Sequence, residues 1–187
     1  MRETLCELRE RGTIIVGYTE SMAYYTSYRV KHLGLDGLLD FLYSPPDHDV
    51  PRNIPAERLR FYPASYYDLE KTQHRATPKG RLKPDAEILK NIIREMGVSA
   101  TETLYVGDSI MKDIAMAEDA GVANAHAAYG VAQRRPEYEL LRAVTHWTDE
   151  DVRREREITQ RNVTPKLVLS NHFGELLEYF DFASGRK

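Results

Sequence analysis

The amino-acid sequence predicts an α/β protein built on a doubly wound, mostly parallel β-sheet. Short apolar runs, several of them rich in β-branched residues, alternate along the chain with segments of helical periodicity. This alternation is typical of βαβ units, in which a helix returns the chain so that successive strands run parallel. The length of 187 residues fits one domain that can bury a hydrophobic core. We therefore expect a single core domain over residues 1–187.

The first half of the chain begins with an amphipathic helix over residues 2–11 and a β-branched strand over 13–18. A second helix is predicted over 22–33 and a second strand over 38–43. Between residues 44 and 82 this periodicity is lost among six prolines, many charges and a tyrosine-rich patch. Structureless loops of such length are uncommon in compact domains, so we interpret this segment as an irregular insertion.

The second half contains the clearest amphipathic helix, which begins near Lys83 and ends at Gly97. One face of this helix carries Ile88, Leu89, Ile92, Ile93 and Met96. The other predicted elements are strands at 103–106, 122–128 and 166–170 and helices at 110–120, 134–142, 149–161 and 173–180.

Composition excludes several classes of protein. The chain has 26 Lys and Arg against 29 Asp and Glu, so it has no basic excess for binding nucleic acid. The single cysteine, Cys6, excludes an internal disulfide framework. The apolar runs are too short to span a membrane, and the N-terminus lacks the apolar core of a signal peptide. We expect a cytoplasmic protein without nucleic-acid or membrane partners, and the oligomeric state is not indicated.

Several chemically useful side chains lie where a parallel sheet would bring them to one edge. Thr19 follows the first strand, Asp108 follows a later strand, and Lys83 stands where a loop enters a helix. Ligands of such sheets bind beyond the carboxyl ends of the strands. The Thr19 hydroxyl, the backbone N–H of neighbouring Glu20 and an ammonium suit a phosphate, and a carboxylate suits Mg²⁺. Asp113, five residues after Asp108, could face the same site.

Three segments resemble, in order and spacing, the second, third and fourth motifs of the haloacid dehalogenase (HAD) superfamily. They are Ile14–Thr19, Lys83–Asp85 and Val106–Ile114. The resemblance covers about residues 2–130 and implies a Rossmann-like core. It also implies a Mg²⁺-dependent phosphatase that acts on a small phosphorylated substrate through a phospho-aspartate intermediate.

Carried over by position, the resemblance implies a role for each residue of the site. Thr19, with Glu20 beside it, would bind the transferring phosphoryl group, and Lys83 would stabilise its charge. Asp108 would ligate Mg²⁺, and Asp113 would support either the metal or the lysine. Thr19 and Lys83 are thus the expected catalytic residues.

The first motif of the family is missing from its expected place. This motif, a strand-terminal Asp-x-Asp that supplies the nucleophile and the general acid/base, should precede Thr19, yet the first aspartate is Asp36. Asp47-His48-Asp49 matches its letters but follows Thr19 in the proline-rich segment, which argues against a nucleophile. We expect a fragment, or the product of a shortened gene, that lacks the nucleophile, the cap and the middle strand of the sheet. This chain alone should then be inactive.

Two other functions stay open. The chain could be a non-catalytic protein that keeps the fold to bind a phosphate-bearing ligand or a partner. It could also be a phospho-accepting receiver domain, which uses Asp, Thr and Lys with Mg²⁺. Receivers present their acidic residues first, whereas here Thr19 and Lys83 precede Asp108, and this order disfavours a receiver.

Each of these residues also has an ordinary structural interpretation. Alone, Thr19 would be a helix N-cap, Lys83 a surface lysine and Asp108 a turn residue. Their occurrence together, with Asp113, favours a site. The aromatic segment Phe61–Tyr67 is either a lid over that site or local packing of the insertion.

Overall fold

The protein is described from a computed structural model, which covers residues 1–47, 53–55, 58, 61–131 and 162–182. These residues form two compact units. The N-terminal unit contains Met1–Leu82 and the residues after Phe180, and the C-terminal unit contains Lys83–Phe180. Each unit has a three-stranded sheet in which every pairing is parallel. The predicted α/β class with parallel strands is confirmed, and the single core domain over 1–187 stays a prediction.

The described strands are β1 Val16–Tyr18, β2 Phe41–Ser44, β3 Gln73–Ala76, β4 Leu104–Gly107, β5 Ala123–Ala127 and β6 Leu167–Leu169. The described α-helices are α1 Arg2–Glu10, α2 Ala23–His32, α3 Ala86–Met96, α4 Ala115–Asp119 and α5 Leu176–Tyr179. A π-helical turn, Ile110–Ile114, leads into α4. The described residues also form short 3-10 helices at Ala64–Tyr66, Ala100–Glu102, Ala128–Gly130 and Phe173–Glu175. The helices predicted at 134–142 and 149–161 lie outside the described residues.

In the N-terminal unit the sheet order is β1-β2-β3, so β2 is the middle strand. Leu42 and Tyr43 of β2 are buried, as are Leu5 and Leu8 on one face of α1. Gly12, with a φ of 83°, follows α1 in the left-handed region that glycine adopts without strain. The predicted amphipathic start of the chain therefore forms a helix with one buried face.

The segment 44–82 is not irregular throughout, which corrects the prediction. It contains β3, which pairs with β2 in a register that places Gln73 beside Phe41. The approach to β3 is held by Asp36, whose carboxylate accepts hydrogen bonds from the backbone N–H groups of Glu70, Lys71 and Thr72. Burial by itself would raise the pKa of Asp36, but these hydrogen bonds together outweigh burial, so the pKa lies below its ordinary value.

The aromatic segment within 44–82 packs against α2. Tyr67 stacks on Tyr24 with ring centroids 4.4 Å apart, and Tyr62 stacks on Tyr28 with centroids 5.2 Å apart. The hydroxyls of Tyr24 and Tyr67 also form a hydrogen bond of 2.9 Å. These contacts favour local packing as the role of this segment.

A hydrogen-bonded histidine joins α2, β2 and β3. His74 Nε2 lies 2.8 Å from Ser44 Oγ, and His74 Nδ1 lies 3.1 Å from Ser27 Oγ. The Ser44 hydroxyl donates its single proton to the carbonyl oxygen of Pro45. We therefore assign a proton to His74 Nε2, which donates to Ser44, while Nδ1 accepts from Ser27. Burial lowers the pKa of His74, and the charge of Asp47 acts in the opposite direction.

We expect the free energy of unfolding to decrease as the pH falls below 6.5, the ordinary pKa of histidine. In this range the unfolded chain takes up a proton at His74 that the folded chain takes up only at lower pH, so protonation favours unfolding. His74→Gln should lose this part of the pH dependence. Thermal melts between about pH 5 and pH 8 test it, with His32→Gln at an exposed position as the matched control. Parallel profiles for the parent chain and His74→Gln would contradict the assignment.

In the C-terminal unit the sheet order is β4-β5-β6, and the core lies between this sheet and its helices. Helix α3 buries Ile88, Leu89, Ile92 and Ile93 and contacts α4. Asp85 caps α3 by accepting a hydrogen bond from the Ile88 N–H, and Gly97 ends it with a φ of 70°. The amphipathic helix predicted to end at Gly97 is therefore confirmed.

Strands β1 and β4 each lie at one edge of their own sheet. Among the described strands, β1 pairs only with β2, and β4 pairs only with β5. Such an edge presents unpaired backbone N–H and C=O groups. The absence of a middle strand, which the resemblance implied, stays a prediction. None of the described helices combines the length and apolar character needed to cross a membrane.

Candidate active site

Asp108 is the first residue after β4, at the carboxyl end of the strand, and its side chain is exposed. Its carbonyl oxygen lies 3.1 Å from Nε2 of His126, a buried residue that the register of β5 places beside Gly107. The backbone after β4 is thus tied to the neighbouring strand. Within the described chain no hydrogen bond to the Asp108 carboxylate is found, so its oxygens are accessible to a ligand.

Asp113 and Lys83 form a buried ion pair. Lys83 Nζ lies 2.9 Å from Asp113 Oδ1, and the two side chains are only 10% and 8% exposed. The Tyr105 hydroxyl donates to the same Oδ1 at 3.1 Å, and the Ser109 N–H donates to Oδ2 at 3.1 Å. The Asp113 carboxylate is therefore held by three donors.

The turn after β4 brings Asp113 back over the strand. The Ser109 side chain accepts a hydrogen bond from the Lys112 N–H, and the Ser109 carbonyl accepts one from the Asp113 N–H. These bonds begin the π-helical turn, which replaces the first part of the helix predicted at 110–120. The Asp113 side chain then lies against Gly107, where an added Cβ would overlap it. Glycine at this position leaves room for the carboxylate.

The sequence left open whether Asp113 supports the metal or the lysine, and in the structure it contacts Lys83. Lys83, Asp108 and Asp113 belong to one unit, whereas Thr19 and Glu20 belong to the other. The ordinary interpretation of Lys83 as a surface lysine is wrong, because the ion pair is buried.

Thr19 does not cap α2, so the ordinary interpretation of Thr19 as a helix N-cap is wrong. The N-cap is Met22, and the first helical N–H groups donate instead to the Pro45 carbonyl and to the Asp47 carboxylate. Thr19 extends the β1–β2 ladder through its N–H, which donates to the Tyr43 carbonyl. Its Oγ1 accepts a hydrogen bond of 3.1 Å from the Ser21 N–H. Glu20, partly exposed, lies between them in this turn.

Asp47, the first residue of the Asp47-His48-Asp49 sequence, has a structural role at the start of α2. Asp47 Oδ1 lies 2.6 Å from the backbone nitrogen of Tyr24, at the N-terminus of α2. A carboxylate there satisfies a helical N–H group and interacts favourably with the helix dipole. His48 and Asp49 lie outside the described residues.

Three residues near the site were missed by the sequence argument. Tyr105 shares a face of β4 with Gly107, because side chains alternate along a strand, and this pattern could have identified it. His126 reaches Asp108 only through the register of β5, which no local pattern shows. The third residue is Tyr129, whose pKa is raised. Partial burial is the larger cause, and the negative charges of Glu175 and Asp108 add to it. Its phenol is therefore neutral at neutral pH.

The donors around Asp108 bear on metal binding. The described residues contain no group of three or more His, Cys, Asp or Glu side chains that could hold a metal ion. Mg²⁺ needs fewer protein ligands, because it keeps several waters and is commonly bound by one or two carboxylates with phosphate oxygens. The exposed carboxylate of Asp108 fits one such position, whereas Asp113 is already paired with Lys83.

Comparison with protein families agrees with the order of the motifs. A model of haloacid dehalogenase-like hydrolases matches residues 1–121, and a second, HAD-hydrolase-like model matches residues 81–170. The first span includes Thr19, Lys83, Asp108 and Asp113, and the second includes the last three of them. No curated protein matches the chain.

Proposed function

Because this chain belongs to the haloacid dehalogenase-like hydrolases, we propose that it is the core of a Mg²⁺-dependent phosphatase of small phosphorylated substrates. The observation that carries the proposal is the buried Lys83–Asp113 pair in the unit where Asp108 follows β4. A phosphate with its metal requires two groups. One is a cation, which a buried carboxylate holds here, and the other is an exposed carboxylate at the end of a strand.

In this proposal each residue acts through groups already described. The Thr19 hydroxyl and the Glu20 N–H donate hydrogen bonds to phosphate oxygens. The Lys83 ammonium offsets phosphoryl charge, and Asp113 holds that ammonium in place. Asp108 provides a carboxylate ligand for Mg²⁺, which when bound offsets negative charge on the phosphoryl oxygens.

The nucleophile in this proposal is an aspartate outside this sequence, and the phospho-aspartate intermediate forms on it. Two observations support this part. No aspartate precedes Thr19, and β1 and β4 have edges that no described strand pairs. A strand carrying Asp-x-Asp would supply the missing carboxylates.

Hydrolysis of p-nitrophenyl phosphate with and without Mg²⁺ tests the proposal. The 187-residue chain should be inactive, and a longer gene product that begins upstream with an Asp-x-Asp strand should be active. Asp108→Asn in the longer form should reduce Mg²⁺-dependent turnover at least about a hundredfold. Asp119→Asn, at an exposed position of α4, is the matched control and should leave turnover unchanged. Robust activity of the short chain would overturn the external nucleophile, and full activity of Asp108→Asn would refute the metal assignment.

The lack of an aspartate before Thr19 also favours a second candidate, a non-catalytic protein that binds a phosphate-bearing ligand or a partner. It predicts that phosphate with Mg²⁺ raises the melting temperature of the 187-residue chain and that no form of the protein hydrolyses phosphoesters. An unchanged melting temperature would exclude its ligand-binding form.

A further inference from the structure

We propose that Tyr105 is a positioning residue for the Lys83 ammonium. It acts through the Asp113 carboxylate, to which both side chains donate a hydrogen bond. The inference rests on the proposed function, because it takes the phosphate as the group that Lys83 must meet. Tyr105 is not part of any motif that the sequence argument used, and it lies in the same unit as Lys83 and Asp113.

Strand β4 aims the Tyr105 side chain at the ion pair. Tyr105 and Gly107 are two positions apart and therefore lie on the same face of the strand. Gly107 leaves this face open for the Asp113 carboxylate, and the Tyr105 hydroxyl reaches Asp113 Oδ1 at 3.1 Å. The Lys83 Nζ lies 5.5 Å from the centroid of the Tyr105 ring. Tyr105 thus meets the pair through its hydroxyl and through its ring.

The three donors to Asp113 come from different parts of the unit. Lys83 precedes α3, Tyr105 lies on β4, and Ser109 begins the turn after β4. Together they prevent the carboxylate from rotating. Because Tyr105 and Lys83 both donate to Oδ1, the hydroxyl also reduces the negative charge that this oxygen directs at the ammonium.

Loss of the hydroxyl alone should therefore have two effects. The Asp113 carboxylate keeps its hydrogen bonds from Lys83 and Ser109 but loses one of three donors, so it and the Lys83 ammonium are held less firmly. Oδ1 also attracts that ammonium more strongly, which draws it away from a phosphate. Both effects weaken phosphate binding while the aromatic ring keeps its packing.

The experiment uses the full 187-residue chain with inorganic phosphate and Mg²⁺, and calorimetry measures the dissociation constant of phosphate. Tyr105→Phe should weaken phosphate binding about tenfold. Tyr179→Phe, at a position that is 66% exposed on α5, is the matched control and should bind phosphate like the parent chain. Adding Tyr105→Phe to Lys83→Met should cause no further loss, because Tyr105 acts through Lys83. A purely structural role would lower the melting temperature and leave phosphate affinity unchanged.

A second measurement does not depend on phosphate. The amide proton of Ser109, which donates to Asp113 Oδ2, should shift in the NMR spectrum of folded Tyr105→Phe and not in that of Tyr179→Phe. An unmoved Ser109 amide overturns the inference, and so does equal phosphate affinity of Tyr105→Phe and the parent chain. If the parent chain binds no phosphate while the Ser109 amide shifts, the phosphate site of the proposed function fails, and the role of Tyr105 in substrate binding fails with it.

Discussion

Lys83→Met should lower the free energy of unfolding by about 3–5 kcal/mol, because it leaves a buried carboxylate without its cation. The Lys83 and Asp113 side chains are 10% and 8% exposed, so water cannot replace the lost ammonium efficiently. Tyr105 and Ser109 still donate to the Asp113 carboxylate, which places the expected loss at the lower end of that range. Urea denaturation of the two chains measures the difference.

The ion pair between Lys90 and Glu87 provides the matched control for this experiment. It has a similar length of 3.0 Å, but its side chains are 42% and 62% exposed. Lys90→Met should therefore change the free energy of unfolding by less than about 1 kcal/mol. Asp113→Asn added to Lys83→Met should recover part of the loss, because it removes the uncompensated charge. Equal losses in Lys83→Met and Lys90→Met would contradict a buried pair.

Gly107→Ala should destabilise the chain by about 1–3 kcal/mol through overpacking and should also displace the Asp113 carboxylate. The new Cβ would overlap the Cβ, Cγ and Oδ2 atoms of Asp113. To relieve that overlap, Asp113 must leave Lys83, Tyr105 and Ser109. We expect lower stability and weaker phosphate binding together, measured by urea denaturation and calorimetry on the same variant.

Gly130→Ala is the control for this substitution. A Cβ at Gly130 would lie 3.6 Å from the Cβ of Asp108, which is an ordinary van der Waals contact. Its free energy of unfolding should stay within about 0.5 kcal/mol of the parent value. If Gly107→Ala were as stable as Gly130→Ala and bound phosphate equally well, the close approach of Asp113 to β4 would be wrong.

The elements that could be predicted are those whose signals are local. Helix α3 carries its apolar face, its Asp85 cap and its terminal Gly97 within one short stretch, and the structure has all three. Strand β3 carries no such signal, because three of its four residues, Gln73, His74 and Arg75, are polar and the strand lies at the edge of the sheet. Its place depends on pairing with β2 and on contacts such as that of the Arg75 guanidinium with the Phe41 ring, 4.4 Å from its centroid.

By itself, the sequence determined the α/β class, the order of the motifs and the identity of Lys83, Asp108 and Asp113 as candidate site residues. Only the tertiary structure decided that the Asp113 carboxylate accepts hydrogen bonds from both Lys83 and Tyr105, and that the Asp47 carboxylate accepts one from the first turn of α2. The reason is physical. Periodicity and capping depend on residues within a few positions of one another, whereas these hydrogen bonds depend on strand register and on how the chain folds back.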